Sequence, residues 1–215
     1  MKSHGKTDAS SGGSKWKLPF GLGLAVLLVV AAGVLIPTLA SAKADSAGQA
    51  PAAHEMAGHA MSPEEMGLLD DLAQVRAVTA RFHDVDAALD AGYELGWVNG
   101  SGQRIITGCI FHPTAGAMGY HYFNAELMAD LTTDALQPEA LVYAPENGTL
   151  RLAAVEWVVR GPNSNPPGTP DPPSVLGMQM HILNPAVGFW LMHAWVWKPN
   201  PAGMFEDWNP DVSCP

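Results

Sequence analysis

The sequence predicts an α+β fold: a helical arm packed on a curved antiparallel sheet or a small, partly closed β-barrel. Three observations predict it. Apolar residues recur at helical spacing within residues 62–92. From Tyr93 onward the pattern changes to short β-like runs separated by turn residues. Composition is the third, because 215 residues with a 47% hydrophobic share suit one globular domain plus an appendage and exclude a chain disordered throughout.

Charge is unevenly placed. The chain carries 11 Lys plus Arg against 21 Asp plus Glu, yet Lys2, Lys6, Lys15, Lys17 and Lys43 stand against Asp8 alone in residues 1–44. The remainder is therefore more acidic than the net −10 of the whole chain. Phosphate backbones and anionic lipid repel such a body, which argues against a nucleic-acid partner.

Residues 20–36 are an almost unbroken apolar run, preceded by a lysine-bearing polar stretch and followed by Pro37 and Ala40-Ser41-Ala42-Lys43-Ala44. This layout over residues 1–44 is that of a secretory signal, cleaved before Lys43 or Asp45. An uncleaved membrane anchor over residues 18–40 is the alternative, since about 20 apolar residues span a bilayer. Gly21, Gly23, Gly33 and Pro37 weaken a spanning helix and favour cleavage. Either way the acidic body is exported, to the periplasm, the exterior or the outward face of a membrane. Export makes a disulfide between Cys109 and Cys214 the expected state of the two cysteines. Closing a loop of about 100 residues is worth about 4 to 5 kcal/mol in the chain-entropy description. The run Cys109-Ile110-Phe111-His112 would also permit a thiolate and imidazole pair.

Residues 45–61 are small and polar and read as a flexible tether. Within it His54, Met56, His59 and Met61 interleave imidazole and thioether groups, a set suited to auxiliary capture of copper or silver. The domain proper spans residues 62–215. Ser62 caps a helix with Pro63 in its first turn and Glu65 closing a capping box. Met66, Leu69, Leu72, Val75, Thr79 and Phe82 form its expected buried stripe. A second short helix starts at Asp84 and stops at Gly92, with His83 at the junction as a surface or capping residue.

The β-rich part covers residues 93–197, with strands expected at 103–110, 117–124, 140–144, 149–159, 176–183 and 188–197. Asn147-Gly148 marks a tight hairpin and Asn99-Gly100 another turn. Pro162, Pro166, Pro167, Pro170, Pro172 and Pro173 make residues 161–173 an exposed loop, either a lid over a pocket or a connector. Residues 198–215 form an irregular tail anchored by Phe205 and Trp208.

Ionisable residues interrupt four apolar strands: His121, His181, His193 and Glu156. An unpaired buried charge costs several kcal/mol, so four such intrusions on neighbouring strands call for one explanation. Three imidazoles and a carboxylate make a mononuclear site for a transition metal, copper or zinc above all. His121, His181 and His193 are then ligands, and Glu156 is a fourth ligand or, in an enzyme, the catalytic base on a bound water. By strand alternation Met118, Met178, Met180 and Met192 fall on the face opposite the histidines, unless a bulge intervenes. Tyr120, Tyr122, Trp157, Trp195 and Trp197 are the expected aromatic walls of a pocket. His112, before Pro113, is a fifth candidate ligand. The donor set resembles that of cupin barrels in residue types only, because His121 and Glu156 are far apart in sequence, and the cupin family is not assigned.

Each histidine also has a plain reading as a hydrogen-bonded core residue, and Glu156 as the partner of Arg104 or Arg151. There is no G-x-S-x-G, Walker loop, H-E-x-x-H, EF-hand or C-x-x-C-H motif to support other chemistry. The segments Met118-Gly119-Tyr120-His121-Tyr122, Val155-Glu156-Trp157-Val158-Val159 and His193-Ala194-Trp195-Val196-Trp197 through Trp208-Asn209-Pro210 resemble those of a family of exported bacterial proteins without a functional name. That resemblance covers roughly Val75 to Pro215 and implies export but no activity. Three functions follow from the residues: an exported protein binding one transition metal, a metal-dependent enzyme activating water or dioxygen, and a metal-free barrel binding a small apolar ligand.

Overall fold

The computed structural model describes residues 61–215. The chain divides between Glu55 and Met56 into two units, and the described residues belong to the second. The export segment, its alternative as an anchor, and most of the tether with His54, Met56 and His59 lie outside the described residues. No helix among the described residues is long and apolar enough to cross a membrane.

Helix α1 (Pro63–Thr79) begins as its capping sequence requires. Ser62 Oγ accepts from the Glu65 N–H and the Glu65 carboxylate accepts from the Ser62 N–H. A short 3-10 turn (Ala80–His83) leads to α2 (Val85–Asp90), which Asp84 caps and Gly92 ends with φ 87°. The buried stripe is rotated slightly from expectation. Leu72, Val75, Thr79 and Phe82 are buried, but Leu68 rather than Met66 or Leu69 continues the stripe toward the amino terminus. The spacing of Leu68 from Leu72 is as helical as that of Leu69, so periodicity alone does not separate them.

Ten strands follow: β1 (Tyr93–Leu95), β2 (Trp97–Val98), β3 (Arg104–Ile105), β4 (Ile110–His112), β5 (Gly116–Asn124), β6 (Ala140–Glu146), β7 (Thr149–Arg160), β8 (Ser174–Val175), β9 (Met178–Gln179) and β10 (Phe189–Ala194). The main sheet runs β1-β5-β6-β7-β10, antiparallel throughout, with β4 sharing the β1 edge of β5. Its two edges do not pair with each other. The fold is therefore α+β with an open sheet, and the barrel alternative does not hold.

Two of the expected strands are broken. Residues 103–110 split where Ile106 takes φ 57°, so that β3 pairs with β2 and β4 with β5. Residues 176–183 begin with a tight turn, Leu176 at φ 52° and Gly177 at φ 73°, joining β8 to β9. Asn147 and Gly148, at φ 51° and 80°, make the expected hairpin between β6 and β7.

Both faces of the sheet are covered. On one, Leu72, Val75 and Phe82 of the arm pack on Tyr143, Val155, Trp157 and Met192. Three polar contacts tie the arm down: Tyr143 Oη donates to Phe82 O, Arg76 Nε to Val196 O, and Trp197 Nε1 to Thr79 Oγ1. On the other face, Val142, Ala154 and Trp195 pack with Val212 of the tail, and Phe123, Val158 and Phe189 pack with Trp97 and Met128. The tail is held by a two-bond bridge between Ala117 and Asn209 and by the disulfide Cys109–Cys214. A closed disulfide is what an oxidising, exported environment allows.

Candidate metal centre

The face away from the helical arm carries His121 on β5, Glu156 on β7 and His193 on β10. His193 stands directly opposite Glu156 in the β7–β10 ladder. Between Glu156 and His121 runs β6, where Ala140 faces Glu156 and Val142 faces His121. Neighbouring strands lie about 4.8 Å apart, so the two long side chains lean toward each other over β6 across its small residues. His121 Nε2 lies 3.8 Å from Glu156 Oε2, and His193 Nδ1 lies 3.7 Å from Glu156 Oε1. One ligand atom from each of the three residues falls within 4.8 Å of the others.

These separations exceed hydrogen-bond length yet suit a shared ion. Ligands about 2.1 Å from a tetrahedral ion stand about 3.4 Å from one another, so the two imidazole–carboxylate separations lie within a few tenths of an ångström of what an ion needs. All three residues are buried, at 3% exposure or less. Among the described residues no group meets His121 Nδ1, His193 Nδ1 or His193 Nε2 in hydrogen-bond geometry. An unsatisfied buried polar atom costs about 1 to 3 kcal/mol, and an ion on the ring nitrogens would offset part of this. Burial pushes the His121 imidazole below its ordinary value, opposed by Glu156 and reinforced by His193. A neutral imidazole is the form that binds metal.

His181, expected as a third imidazole, stands outside this group. The turn at Leu176-Gly177 takes its segment off the regular ladder, and it meets β10 only through a single bridge to Leu191. Its side chain is half exposed, and Nε2 donates to Asp207 Oδ2 at 3.0 Å. That hydrogen bond raises the His181 imidazole above its ordinary value, against the effect of burial. Asp207 keeps its other oxygen, Oδ1, buried without a partner among the described residues. The neighbouring Glu206 carbonyl accepts from Trp195 Nε1, and the Trp195 ring lies 4.6 Å from that of His193.

A cavity of about 110 Å³ opens beside two of the three donors, His121 and Glu156. His121 and Glu156 line it together with Met118, Phe123, Phe189 and Leu191, while Ile106, Ile110, Leu183, Asn184 and Val187 complete the lining. None of the expected aromatic walls, Tyr120, Tyr122, Trp157, Trp195 or Trp197, lines it. Tyr122 and Trp157 have the opposite parity to His121 and Glu156 and belong to the core under the arm. Residues 161–173 supply none of the lining either, so the proline-rich loop is a connector to this cavity rather than its lid.

The remaining histidines among the described residues, His112 and His83, have structural duties. His112 Nδ1 accepts from the Thr114 and Ala115 N–H groups and caps the β4–β5 turn. The His83 ring packs edge-on against Trp197 at 4.3 Å. Arg104 pairs with Glu94, so it is not the partner of Glu156. Sequence reasoning placed Met118 on the wrong face and passed over Leu183 and Val187. Gly119, a lone glycine inside a strand pattern, was the signal for the first. No protein-family model matches the chain, and neither does any curated protein or solved structure.

Proposed function

We propose that this is an exported protein that binds one transition-metal ion, copper or zinc in class, through His121, Glu156 and His193. The observation that carries the reading is the convergence of three buried donors, with three of the four ring nitrogens lacking partners among the described residues. Protein folding seldom leaves buried imidazole and carboxylate groups at this spacing without a proton or an ion between them. Three candidate ligands, two of which line a cavity, also support a second reading. A position left free on the ion would let Glu156 or the ion activate water or dioxygen against a small apolar substrate.

The test is elemental analysis of protein purified without a histidine tag, before and after dialysis against chelator. One equivalent of metal is expected, and His193→Ala and Glu156→Gln should each lose it. His181→Ala and deletion of residues 45–61 should retain it. Metal-free protein whose melting temperature ignores both added metal and chelator would end the proposal. Loss of all metal on deleting residues 45–61 would move the site to the tether.

A further inference from the structure

The ladder between β4 and β5 contains an irregularity that alters the donor set. Ile110 pairs with Gly119 and Phe111 with Ala117, so Met118 has no partner and forms a bulge. Gly119 takes φ 121°, and a Cβ there would stand 2.4 Å from the Tyr143 carbonyl oxygen. Only glycine fits that position. The bulge reverses the alternation for one residue and brings Met118 to the His121 face. Met180 and Met192 keep the regular pattern and are buried under the helical arm.

Met118 is 2% exposed and lines the same cavity as His121 and Glu156. A methionine could fill an apolar wall as well as any aliphatic residue, but its place in the lining of the cavity that His121 and Glu156 share gives the thioether partners of matching chemistry. Thioether sulfur is a soft donor that selects Cu(I), whereas imidazole serves either copper state or zinc. Most of the other lining, including Phe123, Phe189, Leu191 and Val187, is hydrocarbon, and the amide oxygen of Asn184 is already engaged by the Ala186 N–H.

We propose that Met118 is a fourth donor of this centre and that the centre selects copper, held as Cu(I) by His121, His193 and the Met118 thioether with Glu156 beside them. This rests on the metal-binding reading above. Binding involves no electron transfer when the ion is supplied as Cu(I).

The experiment is competition for Cu(I) against a chromophoric Cu(I) chelator, under reductant-buffered anaerobic conditions that leave the disulfide closed, with Zn(II) titrated in parallel. Wild-type protein and Met118→Leu are compared, a substitution that preserves volume and apolar character. Met118→Leu is expected to weaken Cu(I) binding at least about tenfold while leaving Zn(II) affinity within about twofold. Copper-edge X-ray absorption should show a sulfur neighbour at about 2.3 Å in the wild type that the variant lacks. Unchanged Cu(I) affinity in a folded Met118→Leu protein, or a copper shell without sulfur in the wild type, overturns the thioether donor and leaves the metal centre standing. Failure of the wild type to bind either ion overturns both readings.

Discussion

Glu139 is a buried acid that stands outside the His121, Glu156 and His193 group. Its Oε2 accepts from the Val158 N–H at 2.9 Å, standing in for the strand partner that Pro138 ends. Burial pushes its carboxyl up to about 8, relieved in part by the Val158 hydrogen bond and increased by Asp130 and Asp134. The folded value lies above the ordinary 4.5, so the contribution is fully present below that pH and is lost as pH rises through about 8. Glu139→Gln keeps an acceptor for Val158 and cannot ionise. In metal-stripped protein it should melt with the wild type near the low end of this window and several degrees above it at the high end. Equal curves at both ends would show that Glu139 carries no such burden. At this scale His121, Glu156 and His193 were legible because polar groups stand out in apolar strands. Glu139 and Asp207 were not, since each lies in a mixed segment where an acid is unremarkable and only the fold buries it.

Among the elements, the β4–β5 bulge decides which side chains reach the cavity. Gly119→Ala meets both a backbone conformation that L-residues rarely adopt and a carbonyl oxygen of β6 that cannot yield. A loss of about 3 kcal/mol is expected in chemical denaturation, with Met118 and His121 displaced and metal affinity reduced. A variant as stable as the wild type would mean that the strand tolerates a regular ladder there. Capping boxes and two-residue turns were readable because a few local residues specify them, as at Ser62 to Glu65 and at Asn147-Gly148. The broken strands were not, because Ile106 and Leu176 take positive φ, which their side chains disfavour and only surrounding structure imposes. His181 was misplaced for that reason, since its alternation was counted along a run that starts with a turn.

The whole domain is a sheet closed from both sides, by the arm on one face and by the tail and loops on the other. Composition and the two cysteines made this organisation readable in outline, whereas strand order and the open edges depend on pairings distant in sequence. The bridge Cys109–Cys214 spans a sequence separation of 105, and replacing both cysteines with serine should cost about 2 to 5 kcal/mol. Denaturation of the double variant beside the oxidised protein checks this, and equal midpoints would count against it. The same bridge has a bearing on how the centre survives damage. Met118, His121, Glu156 and His193 all lie between its two cysteines, so every candidate donor belongs to one covalent ring. Heat or denaturant opens the sheet without letting the ring ends part, and the ligands stay at a raised effective concentration. On the proposed metal-binding reading, an ion released on melting would meet donors still joined in one covalent ring, and the oxidised chain should regain it more readily than the reduced one.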